Sequence, residues 1–237
     1  MNQQLLLDLL LPSPPTLDNF VVGANAAAVQ AICTCPPGRA VYVWGSRGCG
    51  RSHLLQAIAH LPDGRYFGPQ SPGPDLLEFA TRESLEAVRV AVDDVDRLDA
   101  SGQAGLFALY NRWRAQANSP SAFALFVSGP LSPMAMPVRE DLRTRLGWDL
   151  VFRLEQLSDD ERVQALHRRA ADRGLTLAPD VLNWVMTHYA RDMGQLTALI
   201  DSLDRYSLEK HRAITLPLVK DLLASNAQPY STSMESP

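Results

Sequence analysis

At about 150 residues per domain, a chain of 237 residues holds one large domain or a medium one with a small companion. Lys and Arg number 22 against 26 Asp and Glu, a net charge of -4, and 46% of the residues are hydrophobic. These figures fit an ordinary folded chain; they exclude collagen-like or disordered material and an affinity for nucleic acid spread over a basic surface, while a local basic patch stays open.

Residues 1–11 are leucine-rich, yet Asp8 interrupts the run and no Lys or Arg precedes it, so a secretory signal is not expected. No apolar stretch reaches the roughly 18 to 20 residues of a membrane span. Cys33, Cys35 and Cys49 form no C-x-x-C pair, which points to a cytoplasmic chain with free thiols and no structural metal. Pro12, Pro14 and Pro15 make residues 12–19 a linker that detaches the leucine-rich tail. An Ala-rich helix over 25–32 follows. Ala40-Val41-Tyr42-Val43-Trp44 is β-branched and aromatic, as a buried parallel strand should be.

A helix from Ser52 to about Leu61 comes next, then a Pro/Gly-rich loop over 62–74 and a short helix over 76–80. Further strands over 87–92 and 122–127 flank a helix over 104–116 that carries Leu106, Phe107, Leu109, Tyr110 and Trp113 at helical spacing. Alternating strands and helices predict a parallel sheet covered on both faces, over residues 20–156. From Leu157 the strand signals stop. Ser158-Asp159-Asp160-Glu161 is a capping box for a helix to about Arg173. Helices over 180–189, 193–210 and 217–224 complete a small all-helical unit over 157–225, before a polar tail over 226–237 expected to be disordered.

Gly45-Ser46-Arg47-Gly48-Cys49-Gly50-Arg51-Ser52 fits G-x-x-x-x-G-[basic]-[Ser/Thr] between a strand and a helix. Glycines at Gly45, Gly48 and Gly50 let the backbone curl so that its N–H groups and the helix N-terminus face a phosphate. Ser52 is then a Mg²⁺ ligand, and the basic residue reaches the outer phosphates. Arg51 stands where this loop ordinarily has Lys; a planar fork in place of a compact ammonium favours nucleotide holding over fast hydrolysis. Alone, the octapeptide also reads as a Gly-rich turn. Val90-Ala91-Val92-Asp93-Asp94 is a buried strand ending in two carboxylates, where such a fold places its Mg²⁺-supporting Asp93, with Asp94 in the water-activating position. A simple strand-to-turn Asp pair is the alternative.

Together with Leu17-Asp18-Asn19-Phe20-Val21-Val22-Gly23 and Asp141-Leu142-Arg143-Thr144-Arg145-Leu146-Gly147-Trp148, these segments resemble the DnaA-like AAA+ family, and within it the regulatory inactivators of DnaA over nearly the full length. Gly50-Arg51-Ser52-His53-Leu54-Leu55, Leu109-Tyr110-Asn111-Arg112, Leu157-Ser158-Asp159 and Leu203-Asp204-Arg205 carry the closer likeness. The resemblance implies an AAA+ P-loop fold with a helical lid domain. It also implies an adenine nucleotide, ADP favoured or ATP, with Mg²⁺; Phe20, Val21 and Val22 at the adenine; and His53 within the nucleotide-binding run. Gln4-Leu5-Leu6-Leu7-Asp8-Leu9 matches the family's Q-L-x-L-x-L motif for the sliding clamp (β subunit) of DNA polymerase III, with Gln4, Leu5, Leu7 and Leu9 as contacts. By itself the hexapeptide also reads as a frayed amphipathic helix.

Arg145 matches the family's arginine finger, acting in trans, although Arg139, Arg143 and Arg145 alone would read as a solvated basic face. Two positions depart from the family. After the third predicted strand, Val127-Ser128-Gly129-Pro130 lacks the acidic residue of the relatives and leaves Ser128 as the substitute. In the lid, Gly194 stands where the relatives place an Arg near the γ-phosphate; Arg191, about one turn earlier, is the candidate to replace it and reads equally as a helix-entry surface charge. The implied function is a regulator that docks on the DNA-loaded clamp, meets DNA only through it, and stimulates ATP hydrolysis by the initiator DnaA, so preventing re-initiation. Little ATPase activity of its own is expected; a homo-oligomer is compatible and no membrane contact is. The alternative is a DNA-acting AAA+ ATPase of the helicase-loader or initiator kind, against which stand the acidic balance and the lack of room for a helix-turn-helix after the last predicted helix.

Overall fold

The computed structural model describes residues 14–189, 193–210 and 212–226. They form two compact units that divide between Leu157 and Ser158. The first is built on a five-stranded sheet of order β2-β3-β4-β1-β5. Its strands are β1 (Ala40–Trp44), β2 (Gly64–Phe67), β3 (Arg89–Val92), β4 (Ala124–Gly129) and β5 (Leu150–Arg153). All four strand pairings are parallel.

Side chains alternate along each strand, so the parallel register sorts the sheet into two buried faces. On one face Val41, Val43, Ala91 and Phe126 pack with Ile32 of α1 (Ala26–Cys33) and Leu54, Leu55 and Ile58 of α2 (Arg51–Ala59). On the other, Tyr42, Val90, Val92, Leu125 and Val127 pack under α3 (Gly73–Thr81), α4 (Ala100–Gln116) and α5 (Glu140–Leu146). Each fully buried aliphatic side chain contributes roughly 1.5 to 3 kcal/mol of transfer free energy, so the two-sided burial fixes the sheet. Asp99 caps α4, its Oδ1 accepting from Gly102 N at 2.7 Å.

The predicted parallel sheet is present, with two strands more than expected. Gly64–Phe67 falls in the segment read as a loop, and Leu150–Arg153 drew no strand signal. Both are four-residue strands at the sheet's edges, with Arg65 and Val151 exposed between less accessible neighbours; Arg65 interrupts the apolar pattern of β2, and the apolar run of β5 is only Leu150-Val151-Phe152. Asp149 anchors the second of them: its Oδ2 accepts from Arg39 Nε at 2.7 Å and from Ala40 N at 2.9 Å, stapling the start of β5 to β1. Burial pushes the Asp149 carboxyl up, but the hydrogen bonds from Arg39 and Ala40 outweigh it and hold the group below the usual carboxylate range.

The second unit is all-helical: α6 (Asp159–Asp172), α7 (Pro179–His188), α8 (Met193–Lys210) and α9 (Leu216–Asn226). Ser158 Oγ accepts from Glu161 N at 3.2 Å while Glu161 Oε2 accepts from Ser158 N at 2.7 Å, which is the capping box read from the sequence. Leu166, Val185, Leu196, Leu199, Leu203 and Leu222 form its core. Asp201, buried on α8, is paired with Arg169 of α6 and with Arg173 just after it, each at 3.0 Å, so its charge is compensated. No helix among the described residues is long and apolar enough to cross a membrane.

Helices α3 and α4 meet at Gly105, where a Cβ would lie 2.6 Å from Leu77 N and 2.9 Å from the Leu76 carbonyl carbon. Backbone cannot yield as a side-chain rotamer does. Gly105→Ala gains about 0.5 to 1 kcal/mol of helix propensity but incurs overpacking of about 1 to 3 kcal/mol. We therefore predict net destabilisation in urea unfolding; a variant as stable as the parent would mean that the two helices separate freely.

Candidate nucleotide site

Parallel strands bring their carboxyl ends to one edge, and a crevice opens where the strand order reverses. Here the reversal is at β1, flanked by β4 and β5. The loop Gly45–Gly50 leaves β1 at that edge and runs into α2. Gly48 and Gly50 have φ of +84° and +96°, left-handed conformations that L side chains rarely adopt. A Cβ on Gly50 would also fall 2.7 Å from Phe20 Cε2, so only glycine admits the Phe20 ring against the loop.

Phe20 stands edge-on to His53, with ring centroids 5.3 Å apart, and His53 Nε2 lies 2.9 Å from Thr16 O. Thr16 N donates to Asn19 Oδ1 at 2.8 Å and Asn19 N to Thr16 Oγ1 at 3.2 Å, a local turn. The described part of the segment read as a linker is therefore folded against α2, with His53 holding it. Val21 is half-buried and Val22 is exposed.

Asp93 follows β3 and is 1% exposed. Tyr66 Oη donates to its Oδ2 at 2.7 Å, Ser128 Oγ donates to its Oδ1, and Asp94 N donates to Oδ1 at 3.1 Å. Register explains the grouping. Val92 is paired with Val127, so Asp93 and Ser128, one step on, share a face; Tyr66 is paired with Ala91 on that same face. Asp93, Ser52, Gln56 and Tyr66 line one cleft of about 630 Å³.

Arg51 does not extend outward. Its guanidinium donates to the Gly45 carbonyl and to Asp94 Oδ1, the latter at 2.8 Å, with the two side chains only 10% and 19% exposed. Asp94 has a left-handed φ of 48°. Burial raises its pKa, the Asp93 charge adds to the rise, and Arg51 opposes both without cancelling them. The basic residue and the water-activating candidate thus neutralise each other.

Arg145 lies on α5, away from these groups in sequence and built differently. Its Cζ stands 4.0 Å from the Phe107 ring centroid and 4.4 Å from that of Trp148, and its Nε is buried with no hydrogen-bond partner among the described residues. Burial holds the guanidinium below its ordinary pKa, with Asp141 opposing and Arg114 assisting. Arg143 Nε is likewise buried and unpartnered, whereas Arg139 pairs with Asp141 at 2.6 Å. Gln4, Leu5, Leu7, Leu9 and Arg191 lie outside the described residues, and Gly194 is exposed on the first turn of α8.

The sequence does not single out Tyr66, which falls in the segment read as a loop, or Gln56, which lies in the predicted helix outside any motif. Arg65-Tyr66-Phe67 between Gly64 and Gly68 is nevertheless an aromatic run bounded by glycines, the same signal that marks β1. Phe107 and Trp148 are visible in the sequence as apolar residues, but not as the two rings that contact one guanidinium.

Residues 159–223 match the family model for the lid domain of Hda. Domain III of the replication initiation protein DnaA from Thermotoga maritima superposes with a TM-score of 0.71 at 24% identity, over 92% of this chain and 99% of that one. AMPPCP-bound DnaA from Aquifex aeolicus gives 0.58 at 17% identity, over 85% and 71%. A RuvB variant from Thermotoga maritima gives 0.60 at 15% identity, over 89% and 72%. The α/β unit therefore shares the fold of these DnaA and RuvB structures, and the helical unit is the part that matches the Hda lid-domain model.

The Arg51–Asp94 contact makes a pH-dependent claim. The folded pKa of Asp94 lies above its unfolded value of about 3.9, so its contribution to stability is fully present below that value and is lost as pH rises through the raised folded pKa. Asp94→Asn should be at least as stable as the parent at neutral pH, with the advantage shrinking toward about pH 4. Arg51→Ala, which strands two adjacent carboxylates, should melt lower at neutral pH. Thermal unfolding of the three proteins across that range checks both; an Asp94→Asn variant weaker than the parent at neutral pH would mean that pairing outweighs burial.

Proposed function

We propose that this chain, an AAA+ core with an Hda-type lid, is a regulatory adaptor that holds an adenine nucleotide and acts on the nucleotide of its relative DnaA. The observation that carries the reading is the contrast between its two site arginines: Arg51 is neutralised inside its own phosphate loop, while Arg145 is ordered by aromatic rings and forms no ion pair among the described residues. An arginine supplied in trans stabilises charge on a transferring phosphoryl group and accounts for about 10³ to 10⁵ in rate where it is known.

In this reading the Gly45–Ser52 loop binds the phosphates, ADP in preference to ATP, and Phe20, Val21 and Val22 border the adenine. Ser52 and Asp93 are hard oxygen donors on one cleft and fit Mg²⁺, which would supply charge neutralisation at the phosphates. Arg191 is the lid residue assigned to the outer phosphate. Asp94, tied to Arg51, is a poor water activator, so intrinsic turnover is slow. Gln4, Leu5, Leu7 and Leu9 attach the chain to the polymerase sliding clamp, bringing it to DNA without a DNA-binding surface of its own. A second copy could offer its Arg145 to this chain's loop in the same way, which is how a homo-oligomer would form. The helicase-loader or initiator reading requires an Asp94 free to activate water, and the Arg51 contact weighs against it.

The deciding experiment measures ATP hydrolysis by DnaA in the presence of DNA-loaded clamp and this protein. Arg145→Ala should lose most of the stimulation while retaining fold, nucleotide and clamp binding. Arg145→Lys should rescue poorly, because a point charge lacks the planar fork. Full stimulation by Arg145→Ala together with loss in Arg143→Ala would reassign the finger; full stimulation by both would end the trans-arginine mechanism.

Clamp attachment has its own test. In a pull-down with purified clamp, Gln4→Ala with Leu5→Ala should abolish retention and leave the melting temperature nearly unchanged, since a terminal tail contributes little to a core. Retention equal to the parent's would remove the clamp from the reading.

A further inference from the structure

We infer that Tyr66 is a positioning residue for the magnesium-supporting carboxylate, its phenol and the Ser128 hydroxyl clamping the two oxygens of Asp93 from opposite neighbouring strands. The inference rests on the nucleotide-binding reading and adds to it a residue with no part in the phosphate loop or in the Asp93-Asp94 pair.

Four elements converge on one carboxylate. Gln56 of α2 donates from Nε2 to Tyr66 Oη at 3.2 Å, so the phenol accepts there and directs its single hydrogen to Asp93 Oδ2 at 2.7 Å. On the other side, Ser128 of β4 donates to Oδ1 and accepts from Asp94 N at 3.0 Å. The phenol stays a donor, because burial and the nearby Asp93 charge push its pKa well up.

An ionised carboxylate has about four acceptor sites. Tyr66, Ser128 and Asp94 N take three of them, one on Oδ2 and two on Oδ1, which leaves acceptor capacity on Oδ2 in the cleft that Ser52 and Tyr66 also line. With both oxygens held, the carboxylate plane cannot rotate, and the remaining acceptor site keeps a fixed direction. Outer partners of this kind orient the groups that serve a metal, and their removal typically lowers metal affinity about 10- to 100-fold.

A purely structural role would differ in a measurable way. A hydroxyl that only satisfied a buried charge would, when removed, weaken nucleotide binding with and without magnesium alike. The test is isothermal titration of the full chain with ADP, in Mg²⁺ and in EDTA, for the parent, Tyr66→Phe and Ser128→Ala. The parent should bind more tightly in Mg²⁺. Tyr66→Phe should lose that gain by about tenfold or more while its affinity in EDTA stays close to the parent's, and Ser128→Ala should behave likewise.

An unchanged magnesium gain in Tyr66→Phe, an equal loss in both buffers, or a parent that binds ADP without any magnesium gain would each overturn the inference while leaving nucleotide binding intact. A parent that binds no ADP in either buffer would overturn the nucleotide reading and this inference with it. If Tyr66→Phe fails to fold, Gln56→Met decides: it releases the phenol's hydrogen from its fixed direction and should reduce the magnesium gain in the same buffer-dependent way, and a full gain in that variant overturns the inference.

Discussion

A carboxylate buried to 1% exposure at the end of a central strand sets the terms for everything around it. Removing an ionised group from water costs several kcal/mol even after relaxation, so Asp93 is tolerable only where donors are already fixed. Parallel register supplies them. The pairing of Val92 with Val127 and of Ala91 with Tyr66 delivers one hydroxyl from each side. A one-residue slip of β2 or β4 would turn those hydroxyls to the opposite face and leave the charge bare. The apolar alternation that makes the two cores thus also assembles the polar end of the site, and one register serves both.

Arg51 follows from a different constraint. At the end of a phosphate loop an ammonium would remain a compact, strongly hydrated charge, while a guanidinium presents a fork that can meet a carbonyl and a carboxylate together. In this chain it does so, with Gly45 and Asp94. Asp94 is held in a left-handed backbone conformation beside it, and its burial and its proximity to Asp93 raise its pKa despite the cation. The cation is thereby satisfied within its own loop, with little of its side chain left exposed.

How much of this was legible in the sequence depends on how local each signal is. The run Ala40–Trp44, the glycine spacing after it and the twin carboxylates after Val92 are contiguous and lie on buried, two-sided strands, so composition alone marks them. Ser158 and Glu161 are likewise three residues apart, and their capping box forms. Edge strands β2 and β5 were not legible, because each is only four residues long, with Arg65 or Arg153 among the four and an exposed residue inside it. With β2 missing, the partnership of Tyr66 with Asp93 could not be drawn, since it depends on strand order. The ring contacts of Arg145 were hidden for the same reason: Phe107 and Trp148 come from separate elements, and only the packed fold brings them to one guanidinium.

Among the described residues, Arg145 is held by rings and not by a counter-charge. Rings at 4.0 and 4.4 Å cover the guanidinium, and cation–π attraction of about 0.5 to 2 kcal/mol per ring holds it without neutralising its charge. A carboxylate could have fixed the side chain equally well, as Asp149 does for Arg39 and Asp201 for Arg169, but it would have compensated the charge. The two rings order the side chain without a counter-charge, and its Nε is buried with no hydrogen-bond partner among the described residues. Against this, burial lowers the pKa of Arg145 from an ordinary value so high that the group remains charged. The fold therefore holds the two arginines differently: Arg51 by an ion pair with Asp94, Arg145 by two aromatic rings.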